Sequence, residues 1–593
     1  MRLPPHLWLL CLSFVNFSSA TQTNEVYNEE LTLRPLSDGK LSARFAFKTL
    51  LKDVAPRVPH SLGTDDTSQH YTLFPLALGQ ILREYAITEL HLTLNAGKWD
   101  YDRWGYPDES SVGSGAELWA WMGDGAPSSI DERWQGMQNA LAGLFCASLN
   151  GMDNQRTTSP TRAFPPSGDL PLLPSPHTHA LRHATLAAEH VCTENLTPFL
   201  KLLPCPGRAG IAALLAPHKI FDTNWHGLGV HVRWKAGEGV ELVLAVQAVF
   251  DPVRSSGDDK RDWGFRSIFD RTIPRACPVA NSSEIHVELP SNIGPGFSLT
   301  PEPLSVTDKI ATYDVTSDIQ ELDVVMKWPE EGAFTYPLDF SSLTDFSVQR
   351  TLKGTSQSHG KISLVIRNNR ASEIQVLYLE TMPWHVEFYL HTLRLECHYP
   401  ETIPCDHLLS NLTYTPPVPH DRPALLQTIL TLPPLTTVHL HANIRKSFLR
   451  YTEHPPDAQR GWDLPPAVFV PLTSVDGPSS SINTSEGSHP QAHGRSSRAR
   501  SWDGVRRLYT PVLLVELATP DFSMPYNVII MSCTLIALIF GSFFNLLTRK
   551  FVVVKIPAAS AKEKEEDKKE EAVMAAANLV EEREVEKGDE AEK

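Results

Sequence analysis

Twenty residues in a row, Val528 to Leu547, carry no formal charge, and this run constrains the chain more than any other. As an α-helix rising about 1.5 Å per residue it reaches roughly 30 Å, the thickness of a bilayer's hydrocarbon core. Arg549 and Lys550 follow at once, and Asp521 lies upstream. The positive-inside rule then puts the C-terminus in the cytosol and everything before Val528 on the other side. The N-terminus agrees. Arg2, an apolar stretch from Leu7 to Val15 and the small residues Ser18, Ser19 and Ala20 have the three parts of a secretory signal peptide, residues 1–20. The expected layout is a single-pass type I chain. It has a lumenal region over 21–527, a transmembrane helix over 528–547 and a charged cytosolic tail over 548–593.

An oxidising compartment changes how the cysteines read. Cys146, Cys192, Cys205, Cys277, Cys397 and Cys405 lie in the lumenal region, and an even number predicts disulfides without fixing partners. Cys397 and Cys405 flank the turn-forming run HYPETIP, which favours a local bridge. Asn195, Asn281, Asn411 and Asn483 each open an Asn-X-Ser/Thr sequon. The net charge of −16 argues against nucleic acid as a partner, because phosphate binding needs a basic surface.

Periodicity outlines the fold. From Leu76, the residues Leu78, Ile81, Leu82 and Tyr85 share one helical face, and ITELHLTL then alternates like a strand. Ser129 and Glu132 predict a capping box for a helix whose core face is Trp134, Met137, Leu141, Leu144 and Phe145. Between these elements lies a glycine-rich aromatic cluster of Trp99, Tyr101, Trp104, Tyr106, Trp119 and Trp121. Such rings usually fill a core. Exposed, they would instead make the chain a type I lectin-like or cargo-binding receptor. Residues 153–178 are Pro/Ser/Thr-rich and read as a surface loop. After it come short runs rich in branched and aromatic residues, such as ELVLAVQAVF, KISLVIRN, IQVLYLE and TVHLHANI, separated by turns. The expected fold is mainly β with some α: a lumenal β-sandwich-like domain or domains plus one C-terminal transmembrane helix. Subdomains are expected over 21–295, mixed α/β, and 296–527, mainly β, with a disordered loop over 471–503.

Catalytic and cofactor motifs are missing from the sequence. It has no HExxH, no phosphate cradle, no GxGxxG, no GxSxG and no CxxC, so no metal and no cofactor are expected. Asp100 and Asp102 alternate with aromatics as loop acids commonly do, and nothing pairs them for glycoside chemistry. Cys192 has His190 two residues away and His183 further upstream. A cysteine nucleophile needs such a base, yet the local signatures of catalytic cysteines are absent. On the residues alone, a Cys192–Cys205 disulfide ranks first, an intermolecular bridge from Cys192 second and a nucleophile third.

Several ordered runs add a resemblance. Phe74-Pro75, Ala77-Leu78-Gly79-Gln80, Glu89-Leu90-His91-Leu92, Gly115-Ala116-Glu117-Leu118-Trp119 and Cys192-Thr193-Glu194-Asn195-Leu196-Thr197-Pro198 come first. Arg507-Leu508-Tyr509-Thr510, Thr519-Pro520-Asp521-Phe522-Ser523-Met524-Pro525-Tyr526-Asn527 and Gly541-Ser542-Phe543-Phe544-Asn545 follow. Together they resemble the PIG-T family of glycosylphosphatidylinositol (GPI) transamidase subunits. The resemblance implies a non-catalytic subunit of an endoplasmic reticulum membrane complex. Its expected partners are a caspase-like catalytic subunit and multi-span subunits, with the GPI lipid and the proprotein as further contacts. It also implies that Cys192 carries an intermolecular disulfide to the catalytic subunit. In the span, Gly541 and the polar Ser542 and Asn545 are the expected contact with multi-span partners or the GPI headgroup.

Overall fold

The computed structural model describes residues 24–64, 70–205, 207–290, 296–315, 321–337, 342–354, 356–399, 401–453, 461–472, 505–518, 523–550 and 568–574. The expected signal peptide, the loop from residue 473 on with Asn483, and most of the charged tail lie outside the described residues. The chain falls into two units, residues 1–519 and 520–593.

The first unit starts from an eleven-stranded sheet. In spatial order its strands are Ser305–Thr307, Ile310–Asp314, Ser282–Glu288, Glu25–Pro35, Leu41–Lys52, Gly239–Phe250, Trp225–Lys235, Ile87–Gly97, Gly115–Gly123, His179–Leu186 and Thr157–Thr158. Neighbours run antiparallel, except that Glu25–Pro35 pairs in parallel with Ser282–Glu288. Successive side chains of a strand point to opposite faces, and here the two faces differ in chemistry. Leu90, Leu92, Leu94, Leu118 and Val230 point to one side and join a large apolar core. The helices Leu76–Glu84, Ile130–Phe145 and Thr193–Lys201 supply Leu78, Leu82, Trp134, Met137, Leu141, Leu196 and Phe199 to the same core. The expected capping box is present: Ser129 Oγ accepts from Glu132 N, and Glu132 Oε2 accepts from Ser129 N.

Beside a small three-stranded sheet of Ser298–Thr300, Val325–Lys327 and Trp263–Gly264 and a pair of Trp462–Leu464 with Leu513–Val515, the rest of this unit is a β-sandwich. One sheet takes Phe346–Lys353, His359–Asn368, Thr437–Lys446, Arg394–Tyr399 and Glu401–Pro404 in that order, with Val386–Phe388 beside Thr437–Lys446. The other takes Leu409–Thr415, Ala424–Leu432, Ile374–Met382, Val468–Pro471 and Leu508–Tyr509. Ile362, Leu364, Val376, Tyr378, Leu426, Leu440 and Phe469 pack between them. Arg350 and Tyr378 both donate to the buried Glu380 inside this core. The subdomain boundary expected near 295 is displaced. The eleven-stranded sheet continues through Asp314, and Met326 and Trp328 still pack into its core, so the sandwich begins only at Phe346.

The second sheet of the sandwich has its outer face against the eleven-stranded sheet. Leu377, Leu379, Leu425, Val468 and Val470 meet Trp99, Trp104, Trp119, Trp121 and Trp225 there. The aromatic cluster is therefore core filling, although Trp99, Tyr101 and Trp104 also border a cleft of about 720 Å³. Polar side chains share this interlayer. His91 Nε2 lies 3.0 Å from Glu89, and His91 Nδ1 lies 3.0 Å from His231 Nδ1. His231 Nε2 is 3.1 Å from Glu109, which accepts from Arg44 Nε at 2.6 Å. Glu117 accepts from the Tyr509 hydroxyl at 2.9 Å and lies 3.0 Å from His183 Nε2. Arg507 donates to the Ala163 carbonyl at 3.0 Å and lies over the rings of Trp119 and Phe164.

The stretch expected to be a surface loop, 153–178, dips into this layer. Phe164 is fully buried, and Ser167 and Gly168 donate their backbone N–H groups to Glu89. A Cβ on Gly168 would sit 2.5 Å from the Trp234 carbonyl, so the approach needs glycine.

Burial alone would push the Glu109 carboxyl up, but the charge of Arg44 and the contact with His231 outweigh it and hold it at about 2. Burial likewise opposes ionisation of Glu89 and Glu117, and their histidine partners reverse it and hold both below the usual range. Folded pKa values below the unfolded ones mean stability that is complete above the ordinary value of 4.5. That stability is lost as the pH falls towards about 2. The thermal midpoint of the purified chain should therefore drop steeply below pH 4.5. Glu109→Ala, which strands Arg44 without its partner, should cost about 3–5 kcal/mol at neutral pH and flatten part of that acid dependence. Calorimetry or denaturant titration at several pH values measures both.

Candidate functional site: an exposed thiol at a clamped helix start

Cys192 stands at the N-terminal boundary of the helix Thr193–Lys201. Leu196 and Phe199 bury one face of that helix and so fix its axis against the core. Its start is fixed by one side chain. Asn195 Oδ1 accepts from Cys192 N at 2.7 Å. Asn195 Nδ2 donates to the carbonyls of Phe145 and Cys146 at 2.9 and 3.0 Å. Those are the last carbonyls of the helix Ile130–Phe145, groups that lack an intrahelical partner. A second tie runs alongside, from Ser148 N to Glu189 Oε1 at 2.8 Å. Cys192 itself is exposed and its thiol is free.

The Cys192–Cys205 pair that the residues alone favoured does not form. Cys205 is bonded to Cys277 with a Cα–Cα separation of 6.0 Å. The reason is geometric. Cys192 and Cys205 lie beyond opposite ends of a nine-residue helix, about 13 Å long, twice what a disulfide spans. Cys397, in the strand Arg394–Tyr399, is bonded to Cys405, one residue past the antiparallel strand Glu401–Pro404, as expected for a local bridge. Among the described residues of the body Cys146 is the other free, exposed thiol, and Cys533 lies in the apolar helix.

The histidines offered as bases for Cys192 separate. His183 is buried on the sandwich side of the large sheet, against Glu117, while His190 stays exposed in the chain leading to Cys192. Asp100 accepts from Arg103 N, and Asp102 accepts from Ser342 Oγ, so both are occupied in holding backbone and loop together. Among the described residues no group of three or more His, Cys, Asp or Glu is arranged to hold a metal.

The sequons also separate. Asn281 and Asn411 are exposed. Asn195 is 1% exposed and its Nδ2, the atom a glycan would need, makes two backbone hydrogen bonds, so this structure leaves no place for a sugar there. Sequence inspection missed this role because Asn-Leu-Thr satisfies the sequon pattern regardless of burial. The offset from Cys192 to Asn195, three residues, is the signal of an N-terminal cap. Asn281→Gln and Asn411→Gln should each remove one endoglycosidase-sensitive gel shift in secretory-pathway expression. Asn195→Gln should remove none and should lower the folded yield.

In the second unit, the helix Ser523–Thr548 holds the apolar stretch Tyr526–Thr548, long enough to cross a membrane. Gly541 and Asn545 are one helical turn apart, with Ser542 beside them and its Oγ donating to the Leu538 carbonyl at 2.7 Å.

The family whose model matches this chain is described as Gpi16 subunit, GPI transamidase component, over residues 9–261 and 252–575. A relative from Mus musculus, "GPI-anchor transamidase component PIGT", is 34% identical over 88% of this chain and 89% of its own length. The Homo sapiens counterpart of that name is 33% identical over 92% and 94%. The Saccharomyces cerevisiae "GPI transamidase component GPI16" is 29% identical over 89% of both. Coverage of both unit 1 and the apolar helix excludes a shared fragment as the source of the match, and the chain belongs to the Gpi16 family of GPI transamidase components.

Proposed function

We propose that this chain is the non-catalytic subunit that stabilises GPI transamidase and positions its caspase-like catalytic subunit during attachment of GPI anchors in the endoplasmic reticulum. The observation that carries this reading is Cys192: an exposed free thiol at the start of a helix whose register Asn195 fixes. A disulfide to the catalytic subunit at that point would hold it at a high local concentration without a large interface. Holding the protease at a fixed place relative to the membrane would replace a costly encounter with a near-unimolecular step. The body lies in the lumen in this reading, and the apolar helix is its anchor. Gly541, Ser542 and Asn545 form the stripe that meets multi-span subunits or the GPI headgroup.

Cys192→Ser should abolish a reducible heterodimer with the caspase-like subunit on non-reducing gels of the detergent-solubilised complex. A heterodimer band of unchanged strength would refute the tether. Replacing Gly541 and Asn545 together by Leu should leave the chain membrane-bound but reduce copurification of multi-span subunits; full recovery of those subunits would reduce the helix to an anchor.

A further inference from the structure

The two free cysteines among the described residues of the body stand on segments that are tied together. Cys146 ends the helix Ile130–Phe145 in the left-handed region, at φ 52° and ψ 42°. Glycine or asparagine usually takes that place, because a Cβ is strained there. Cys146 and Cys192 are both exposed and both unbonded to another cysteine. One amide side chain joins their backbones: Asn195 reaches the Cys146 carbonyl with Nδ2 at 3.0 Å and the Cys192 N–H with Oδ1 at 2.7 Å. The Ser148–Glu189 hydrogen bond also holds the same two segments together. The four remaining cysteines of the body outside this pair are bonded as Cys205–Cys277 and Cys397–Cys405, so neither thiol has another partner within the described body.

We propose that Cys146 is a resolving thiol for mixed disulfides formed at Cys192. This rests on reading Cys192 as a site of mixed disulfides. The exchange is balanced without an outside oxidant. The Cys146 thiolate attacks the Cys192 sulfur, the bond from Cys192 to the partner's sulfur breaks, and the partner leaves as a thiolate while Cys146–Cys192 forms. A neighbouring thiol in the same fold acts at an effective concentration on the order of millimolar, so it outruns dilute thiols in solution. A tether built this way is reversible: it can be released by the subunit itself, and the intramolecular pair would store Cys192 in oxidised form until a partner thiol reopens it.

Glutathione tests this without the catalytic subunit, so the exchange and the tether can fail separately. Glutathione disulfide is exchanged onto Cys192 of the full-length chain in detergent, releasing one glutathione thiolate, and excess is removed. Non-reducing digestion and mass spectrometry then follow the Cys192 adduct and the Cys146–Cys192 linked peptide over time. In the unaltered chain the adduct should give way to the linked peptide. In Cys146→Asn, which keeps a residue suited to the left-handed turn, the adduct should persist about tenfold longer. Cys146→Ser is the second variant, and unchanged thermal midpoints show that either has kept the fold. Equal adduct lifetimes in all three chains, or absence of the linked peptide from the unaltered one, would overturn the proposal.

Discussion

The body of this protein depends on one contact layer, the face of the eleven-stranded sheet that lies against the sandwich. A sheet with one apolar and one polar face ordinarily leaves the polar face in water. Here that face is covered, so every carboxylate and imidazole on it must be paired inside the protein. Glu89, Glu109 and Glu117 are each matched by a histidine, and backbone N–H groups, Arg44 and the Tyr509 hydroxyl respectively complete the set. Burying such groups costs more than burying leucines would. The gain is register within the large sheet, since a slip by one residue would part the cross-strand pairs His91–His231 and Glu117–His183.

Residues far apart in the chain close that layer. Arg507 and Tyr509 come from the short segment before the apolar helix, and they reach Ala163, Ser110 and Glu117. Leu508–Tyr509 is also the edge strand of one sandwich sheet, paired with Val468 and Phe469. The segment thus belongs both to the sandwich and to the interlayer. Its sequence, two arginines followed by Leu-Tyr-Thr, shows nothing of this by itself.

Much of the architecture was legible. The helix faces at Leu78–Leu82 and Trp134–Phe145, the capping box at Ser129 and the strand at Ile87 follow from periodicity and local chemistry, and the structure has them. Tertiary burial was not legible. In ITELHLTL the alternation announces a strand, but Glu89, His91 and Thr93 are as hidden as the leucines. Pro- and Ser-rich composition marks 153–178 as a loop and cannot show that Phe164 plugs a core. The division at 295 failed for a related reason: the sequence is Pro/Gly-rich there, yet the strands Ser305–Thr307 and Ile310–Asp314 beyond it return to the first sheet. At the candidate site, Cys192 stood out in sequence, whereas its hold on the fold, through Asn195, was hidden under a glycosylation pattern.

The position of Leu508–Tyr509 has a consequence for how the chain is made. Synthesis runs from the N-terminus, and this strand is among the last parts of the body to appear, fourteen residues ahead of the helix that begins at Ser523. Until then the edge at Val468–Pro471 has no neighbour and Glu117 lacks its tyrosine. Contacts across nearly 400 residues are slow to form and leave sticky edges open meanwhile. Closure of the body and synthesis of the apolar helix must therefore nearly coincide. A truncation that removes the apolar helix together with its lead-in would leave an unfinished fold rather than a smaller version of the same domain.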